Sequence, residues 1–404
     1  MIETLRSVLR FRRLELDPVA RRLARAASVA DLRAIARRRL PRGVFDYIDG
    51  GAEDERTMAA NAAAFAALTF RPRVLRDVGE VDPSTTLLGR PLPLPLVLAP
   101  TGFTRIADPE GELAVARAAA RAGLPYTLST LSTRSIEEVA AAGAGPKWFQ
   151  VYVWRDRGLV KEMIGRAAAS GYEALVLTVD TAVLGRRERD VRRGFSLPPK
   201  VGLGTLVDGA LHPGWTWRFL RSDPIRFANV SDAATVGDGT TAVTLSEYVN
   251  TQFDPGLSWR DVEWMRSVWA GPLVIKGVQT VDDARLAADA GVEAIALSNH
   301  GGRQLDSAPA PLDLVAPVAD AVGDRLEIIC DGGVRRGSDI VKAVALGARA
   351  CMAGRAYLYG LGAGAERGVD HVLALLDADV RRTMALVGAS SVADLGRECV
   401  ELSR

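Results

Sequence analysis

The sequence predicts an α/β protein: a closed (β/α)8 TIM barrel with an N-terminal helical extension and a long insertion after strand 4. Three observations carry this prediction. From about residue 95, short apolar, β-branched runs alternate with Ala-rich amphipathic stretches that close on a glycine. Eight such runs fit within roughly 260 residues, the usual span of such a barrel, and the count of eight favours closure over an open doubly wound sheet. All eight runs also end in polar residues, and in barrels the chemistry sits where the strands end.

In chain order, residues 1–85 read as mostly helical and flank or cap the barrel. The strands follow as LVLAP (96–100), PYTLS (125–129), KWFQVY (147–152), ALVLTVD (174–180), PLVIKG (272–277), AIALSNH (294–300), LEIICDGG (326–333) and RACMAGR (349–355). Near-continuous apolar runs of this kind belong to parallel strands covered on both faces. Stretches such as GELAVARAAARAG and VDDARLAADAG supply the helices between them. Residues 190–260 break the rhythm, and so long a connection is a lid, a binding loop or partly unstructured. The expected division is an extension, 1–85, packed on a barrel, 86–404, which carries the 190–260 insertion and C-terminal helices.

Composition narrows the class. Of 404 residues, 48% are hydrophobic and 25% charged, enough for one large core or two smaller ones. A net charge of +2 provides no field of the kind nucleic-acid binders use, so no nucleic-acid partner is expected. Residues 1–40 are locally basic, with eleven Arg against four acids, which suits a solvated helical face or a contact with anionic lipid. Cys330, Cys351 and Cys399 lie far apart, which argues against a zinc site and for a reducing compartment. No apolar run reaches the roughly 18 residues of a membrane span, and no signal-peptide core follows the start. A cytoplasmic protein without a metal is expected.

The polar strand ends are Thr101, Ser129, Gln150 with Tyr152, Thr178 with Asp180, Lys276, Ser298 with His300, Asp331, and Arg355. DGGVRRGSD and AGRAY combine glycines with arginines that can fork onto an anion. A phosphate is therefore expected at Gly332, Gly333, Arg335, Gly354 and Arg355, tight βα turns being the plain alternative. Neither Rossmann nor Walker spacing occurs. Lys276 is one of five lysines against 46 arginines. At a buried strand end it forms a Schiff base, stabilises negative charge on a cofactor ring, or is structural. His300, one of three histidines, and Asp180 both face the barrel mouth, as a base and its orienting carboxylate would; a capped turn is the alternative. Arg303 and Arg187 near this pair suit a bidentately held carboxylate, although RRERD alone is also an ordinary charge run.

RRRLPRGVFDYIDGGAEDE, FQVYVWRDR, SNHGGRQLD and DGGVRRGSD together resemble the FMN-dependent α-hydroxy acid dehydrogenase and oxidase family, from near residue 37 to about 390. Within it, DGGAEDE, LHPGWTW and FDPGLSWRDVEWMR are most similar to the L-lactate dehydrogenases. The resemblance implies FMN as cofactor and His300 as the base, with Asp180 as its partner. Arg303 and Arg187 would bind the substrate carboxylate with help from Tyr47, and Tyr152 would contact the hydroxyl or keto oxygen. Pro100, Thr101, Gly102, Ser129, Gln150, Thr178 and Ser298 would line the flavin ring, with Lys276 at its N1–C2 edge. Asp331, Gly332, Gly333, Arg335, Gly354 and Arg355 would hold the ribityl chain and phosphate. Leu131 stands where glycolate oxidases have tryptophan and leaves room for a substrate methyl. Gly102 replaces an alanine and opens space beside the flavin.

The expected reaction is oxidation of a small L-2-hydroxy acid, lactate to pyruvate, with electrons passed to a quinone or another acceptor. The alternatives are an oxidase that releases peroxide and a dehydrogenase for a larger acid such as mandelate. Trp215, Trp217, Phe219, Leu220 and Phe227, beside several arginines, suit a membrane interface. They imply peripheral contact through 200–230 on the inner face of the cell membrane; a lid or oligomer contact is the alternative. A homo-oligomer, a tetramer, is expected.

Overall fold

The computed structural model describes residues 15–193, 202–230 and 251–402. Eight parallel strands close into a barrel: β1 Leu96–Leu98, β2 Tyr126–Ser129, β3 Lys147–Val151, β4 Ala174–Thr178, β5 Leu273–Val278, β6 Ala294–Ser298, β7 Glu327–Asp331 and β8 Ala350–Ala353. Each is bonded to the next, and β8 returns to β1. All eight predicted runs are strands, and most are shorter than the run because its last residues leave the ladder for a loop.

Alternation explains both the closure and the polar top. One set of side chains, including Val97, Trp148, Val176, Val274, Ala296, Ile329 and Met352, fills the barrel interior. Their neighbours Leu96, Leu98, Leu175, Leu177, Ile275, Leu297 and Cys330 pack outward with the helices. Both sets are apolar, so the strands read as unbroken runs. A hairpin of Thr85–Leu87 and Arg90–Leu92 adds Leu87 and Leu92 to the interior cluster. Counting upward in twos, Trp148 leads to Gln150 and Tyr152, Val176 to Thr178 and Asp180, and Val274 to Lys276. Ala296 likewise leads to Ser298 and His300, and Ile329 to Asp331. The polar strand ends are the next inward layer of the same strands.

Among the described residues, the N-terminal segment forms four helices: α1 Pro18–Leu23, α2 Val29–Arg39, α3 Arg42–Asp49 and α4 Arg56–Ala67. Asp17 caps α1 and Ser28 caps α2 through their side chains. Beyond residue 67 the chain is extended, since Pro72, Pro83 and Pro91 block helix. Leu68–Phe70 pairs antiparallel with Val400–Leu402, and the 85–92 hairpin straddles residue 85. The insertion supplies helices Glu188–Arg193, Leu203–Leu211 and Pro213–Leu220. Residues 194–201 and 231–250 of the insertion, and 1–14 of the basic head, lie outside the described residues. Among the described residues, no helix is long and apolar enough to cross a membrane.

Candidate active site

The turn after β6 is unusually tight, with φ of +58° at His300, +63° at Gly301 and +75° at Gly302. Histidine is among the few side chains that enter this region readily. At Gly302 a Cβ would lie 2.6 Å from the backbone nitrogen of Met58, so only glycine fits. The turn brings His300 Nδ1 to 3.0 Å from Asp180 Oδ1. The Asp180 side chain is 1% exposed, and its second oxygen has no partner among the described residues. Burial pushes this carboxyl up, but His300 and Lys276 outweigh burial and hold it below the usual carboxylate range. An ionised Asp180 accepts the Nδ1 proton and leaves Nε2 as the basic nitrogen.

Lys276 is fully enclosed, with Nζ 3.0 Å from Ser298 Oγ and 2.9 Å from Asp331 Oδ2. Burial favours its neutral amine, but Asp331 and Asp180 outweigh burial and raise it above the ordinary lysine value. It is therefore an ammonium, suited to stabilising negative charge and unsuited to Schiff-base attack. Ser298 Oγ donates to Asp331 Oδ2 at 2.7 Å and accepts from the His300 backbone N–H at 3.0 Å, which links the lysine to the histidine turn.

On the neighbouring strands, Ser129 Oγ donates to Gln150 Oε1 at 3.0 Å. Gln150 Nε2 and Thr178 Oγ1 are buried without a partner among the described residues. Thr178 pairs in register with Lys276 across β4 and β5. Pro100, Thr101, Gly102, Gly332, Gly333 and Gly354 line the same cavity. At Gly354 a Cβ would meet Thr101 Cγ2 at 3.5 Å and Ala99 Cβ at 3.7 Å, ordinary contact distances, so a side chain there would take up cavity space that glycine leaves. Arg335 and Arg355 reach the cavity differently. Arg335 Nη1 donates to Val334 O at 2.7 Å. Arg355 donates to Ile48 O at 3.2 Å, Gly301 O at 2.7 Å and Gly50 O at 2.8 Å, bridging the end of α3 to the histidine turn.

On the other side of His300, Arg303 Nη1 donates to Tyr47 O at 2.7 Å and Gly50 O at 3.0 Å. Burial, then the neighbouring Arg187, push Arg303 down to about 9. Arg187 Nε lies 3.0 Å from Asp190 Oδ2. The Tyr47 ring lies 5.1 Å from the Arg303 guanidinium and 5.3 Å from that of Arg187. Burial pushes the Tyr152 phenol well up, so it stays protonated. Ile106, Leu131, Leu184, Phe227 and Phe253 give the cavity an apolar wall. The space expected beside Gly102 is already taken, because a Cβ there would meet Leu131 Cβ and O at 3.2 Å.

The cavity thus gathers most of the predicted residues, with Gln150, Thr178, Asp180 and Ser298 standing just behind its lining. Three residues in or against it escaped sequence reasoning. Asn61 and Asn299 exchange reciprocal amide bonds of 2.8 and 2.7 Å beneath the histidine turn. The available signal was a lone amide in the alanine run MAANAAAFAA. Gln304 accepts from Gly185 N at 3.0 Å and donates to Val183 O at 2.9 Å, which fixes the loop after Asp180.

The insertion differs from expectation in detail. Trp215 is turned inward, with Nε1 donating to Ile106 O at 2.8 Å, and it stacks on Phe219 at 4.6 Å. Phe227 is buried edge-on against Phe103 at 4.6 Å. A buried indole N–H needs an acceptor, and Ile106 O meets that need. The outward side chains are Leu203, Leu206, Val207, Leu211, Trp217 and Leu220.

A cavity with a buried ammonium, an Asp–His pair and two half-buried arginines narrows the chemistry, and comparison with known proteins gives the family. Residues 36–402 match the model of the FMN-dependent dehydrogenases. The chain belongs to this family. It is 48% identical to an L-lactate dehydrogenase of Caulobacter vibrioides over 370 residues, 91% of this chain and 96% of that one. It is 43% identical to an L-lactate dehydrogenase of Chromohalobacter salexigens over 91% of this chain and 93% of that one. The crystal structure of a monotopic membrane protein, (S)-mandelate dehydrogenase, superposes with a TM-score of 0.89 at 39% identity, covering 94% of this chain and 100% of that one. The chain is an FMN-dependent dehydrogenase. The unpartnered Gln150 Nε2 and Thr178 Oγ1, the Lys276 ammonium and the space that glycine leaves at Gly354 fit that cofactor.

Proposed function

We propose that this enzyme oxidises an L-2-hydroxy acid, L-lactate to pyruvate, and passes the electrons to a quinone or a comparable acceptor. The observation that carries the reading is Arg303. It is a half-buried cation held by two backbone carbonyls, and no carboxylate among the described residues lies within ion-pair distance of it. A charge partly withdrawn from water and left without a counter-ion calls for an anion from solution, and a guanidinium fork matches a carboxylate.

FMN supplies the two-electron acceptor when bound. Arg303 and Arg187 hold the substrate carboxylate, with Tyr47 between them. His300 Nε2 takes a proton from the substrate, and Asp180 balances the charge the ring then carries. The Tyr152 phenol donates to the hydroxyl or keto oxygen. Lys276 would place positive charge beside the cofactor ring, and Ser129, Gln150, Thr178, Ser298 and the backbone of 100–102 would hold its polar groups. Asp331, Gly332, Gly333, Arg335 and Gly354 would hold the ribityl chain and phosphate. Arg355 serves there through the loops it bridges.

The apolar wall also supports a second reading, in which the substrate is a larger 2-hydroxy acid. Anaerobic titration of the yellow holoenzyme with glycolate, L-lactate, 2-hydroxybutyrate and mandelate separates the two, with L-lactate expected to bleach the flavin most efficiently. Absence of bleaching by every acid would sink the function. Peroxide release in air, against reduction of a soluble quinone, separates the oxidase alternative.

The outward apolar side chains of 203–220 support peripheral membrane contact through 200–230, on the cytoplasmic face of the cell membrane. Light scattering checks the expected tetramer.

A further inference from the structure

Helix α3 ends beside the proposed carboxylate clamp. The carbonyls at a helix C-terminus lack intrahelical partners and carry the negative end of the helix dipole. Here they are used by arginines. Arg303 takes Tyr47 O and Gly50 O, while Arg355 takes Ile48 O and the same Gly50 O. Neutral acceptors of this kind aim a guanidinium without cancelling its charge. The direction in which Arg303 points therefore depends on where the last turn of α3 is held.

Asp49 holds that turn. Its side chain is 2% exposed and receives four hydrogen bonds. Oδ1 accepts from Arg33 Nε at 2.5 Å and from the Tyr359 hydroxyl at 2.7 Å. Oδ2 accepts from Arg33 Nη2 at 2.8 Å and from Arg189 Nη1 at 3.0 Å. Arg189 lies in the helix Glu188–Arg193, two residues after Arg187, and also pairs with Glu55. Tyr359 lies one turn after Arg355, with the Arg335 guanidinium 5.9 Å from its ring. One carboxylate thus joins the N-terminal helices, the segment bearing Arg187 and the segment bearing Arg355. A buried carboxylate is costly unless every lone pair is met, and here two guanidinium groups and a phenol meet them.

We infer that Asp49 is a positioning residue for the substrate-carboxylate clamp, acting on Arg303 through the α3 carbonyls and on Arg187 through Arg189. The inference rests on the proposed reading of Arg303 and Arg187. It makes the N-terminal helices part of the active site, although none of the four links touches the substrate.

The test uses purified holoenzyme of Asp49→Asn, Arg189→Ala and Arg189→Lys. Binding of oxalate, followed by the flavin spectrum, needs no turnover. Flavin reduction by L-lactate adds a limiting rate. Asp49→Asn and Arg189→Ala should weaken oxalate and L-lactate by about tenfold, the worth of one charge-assisted hydrogen bond. FMN content should be retained and the limiting rate should change by less than about threefold, since the chemical step is untouched. Arg189→Lys should recover most of the affinity. Unchanged affinity in both variants overturns the inference. So does a parallel loss of FMN, rate and affinity that lysine does not rescue, which is the mark of a structural staple. If no hydroxy acid reduces the parent enzyme, the functional reading fails, and the oxalate titrations still decide the role of Asp49.

Discussion

Two segments lie outside the eightfold repeat, and they meet the barrel in opposite ways. Residues 42–61 turn their polar groups toward the site. Tyr47 O and Gly50 O hold Arg303, Ala52 N donates to Gly302 O at 2.8 Å, and Asn61 underlies the histidine turn. The end of the same loop closes back on α4, where Asp306 Oδ1 accepts Thr57 N at 2.8 Å. Residues 203–220 instead direct polar groups at the barrel rim and the start of α3, with Arg218 on Asp108 at 3.0 Å and Asp208 accepting from the backbone N–H of Arg42 at 2.6 Å. Six of their large apolar side chains face away, with Leu203 83% and Leu220 74% exposed. The contrast teaches that the hydrogen bonds identify the segment belonging to the chemistry, whereas exposed apolar area identifies a surface for something else.

Four outcomes test that contrast, from the largest effect to the smallest. His300→Ala should keep its FMN and slow flavin reduction by about 10²- to 10⁴-fold, the range for loss of a general base; a variant at full rate removes His300 from the chemistry. Asn61→Leu removes both amide bonds to Asn299, leaving one Nδ2 proton without an acceptor while Oδ1 keeps only the Gly302 N–H. It should destabilise the fold by about 2 kcal/mol in urea melts and slow reduction as the turn loosens. An Asn61→Leu enzyme with normal stability and rate would separate the N-terminal helices from the site. The third outcome follows from the position of Arg303 near 9. Below that pH the guanidinium is charged and binds carboxylate; above it the cation is lost, so KM for L-lactate should climb between pH 8 and 10. A flat KM would show that the Arg303 guanidinium keeps its proton through this range. Last, Leu206→Ser with Leu211→Ser should leave kcat and KM unchanged and reduce cosedimentation with anionic vesicles. Lost activity instead would make 203–220 a lid.

Much of the site was legible because period two runs unbroken through each strand. Once Val176 faces inward, Thr178 and Asp180 must follow, and Ala296 commits Ser298 and His300 in the same way. The residues that escaped are those whose roles depend on partners distant in sequence. Asn61 meets Asn299 across 238 positions, and Gln304 meets Gly185 across 119, so no local pattern announces either. Among the insertion aromatics, composition suggested an interface, but the acceptor at Ile106 O turned Trp215 inward.

By itself the sequence determined the barrel, its eight strands, the inward polar layer and the family, because each rests on spacing along one strand or on contiguous motifs. Only the tertiary structure decided that Lys276 is an ammonium, that Leu131 fills the space beside Gly102, and that Arg355 bridges loops. It also decided that α3 ends against Arg303. Each of these depends on desolvation or on a backbone carbonyl brought close by folding, and neither is encoded in the identity of the residue alone.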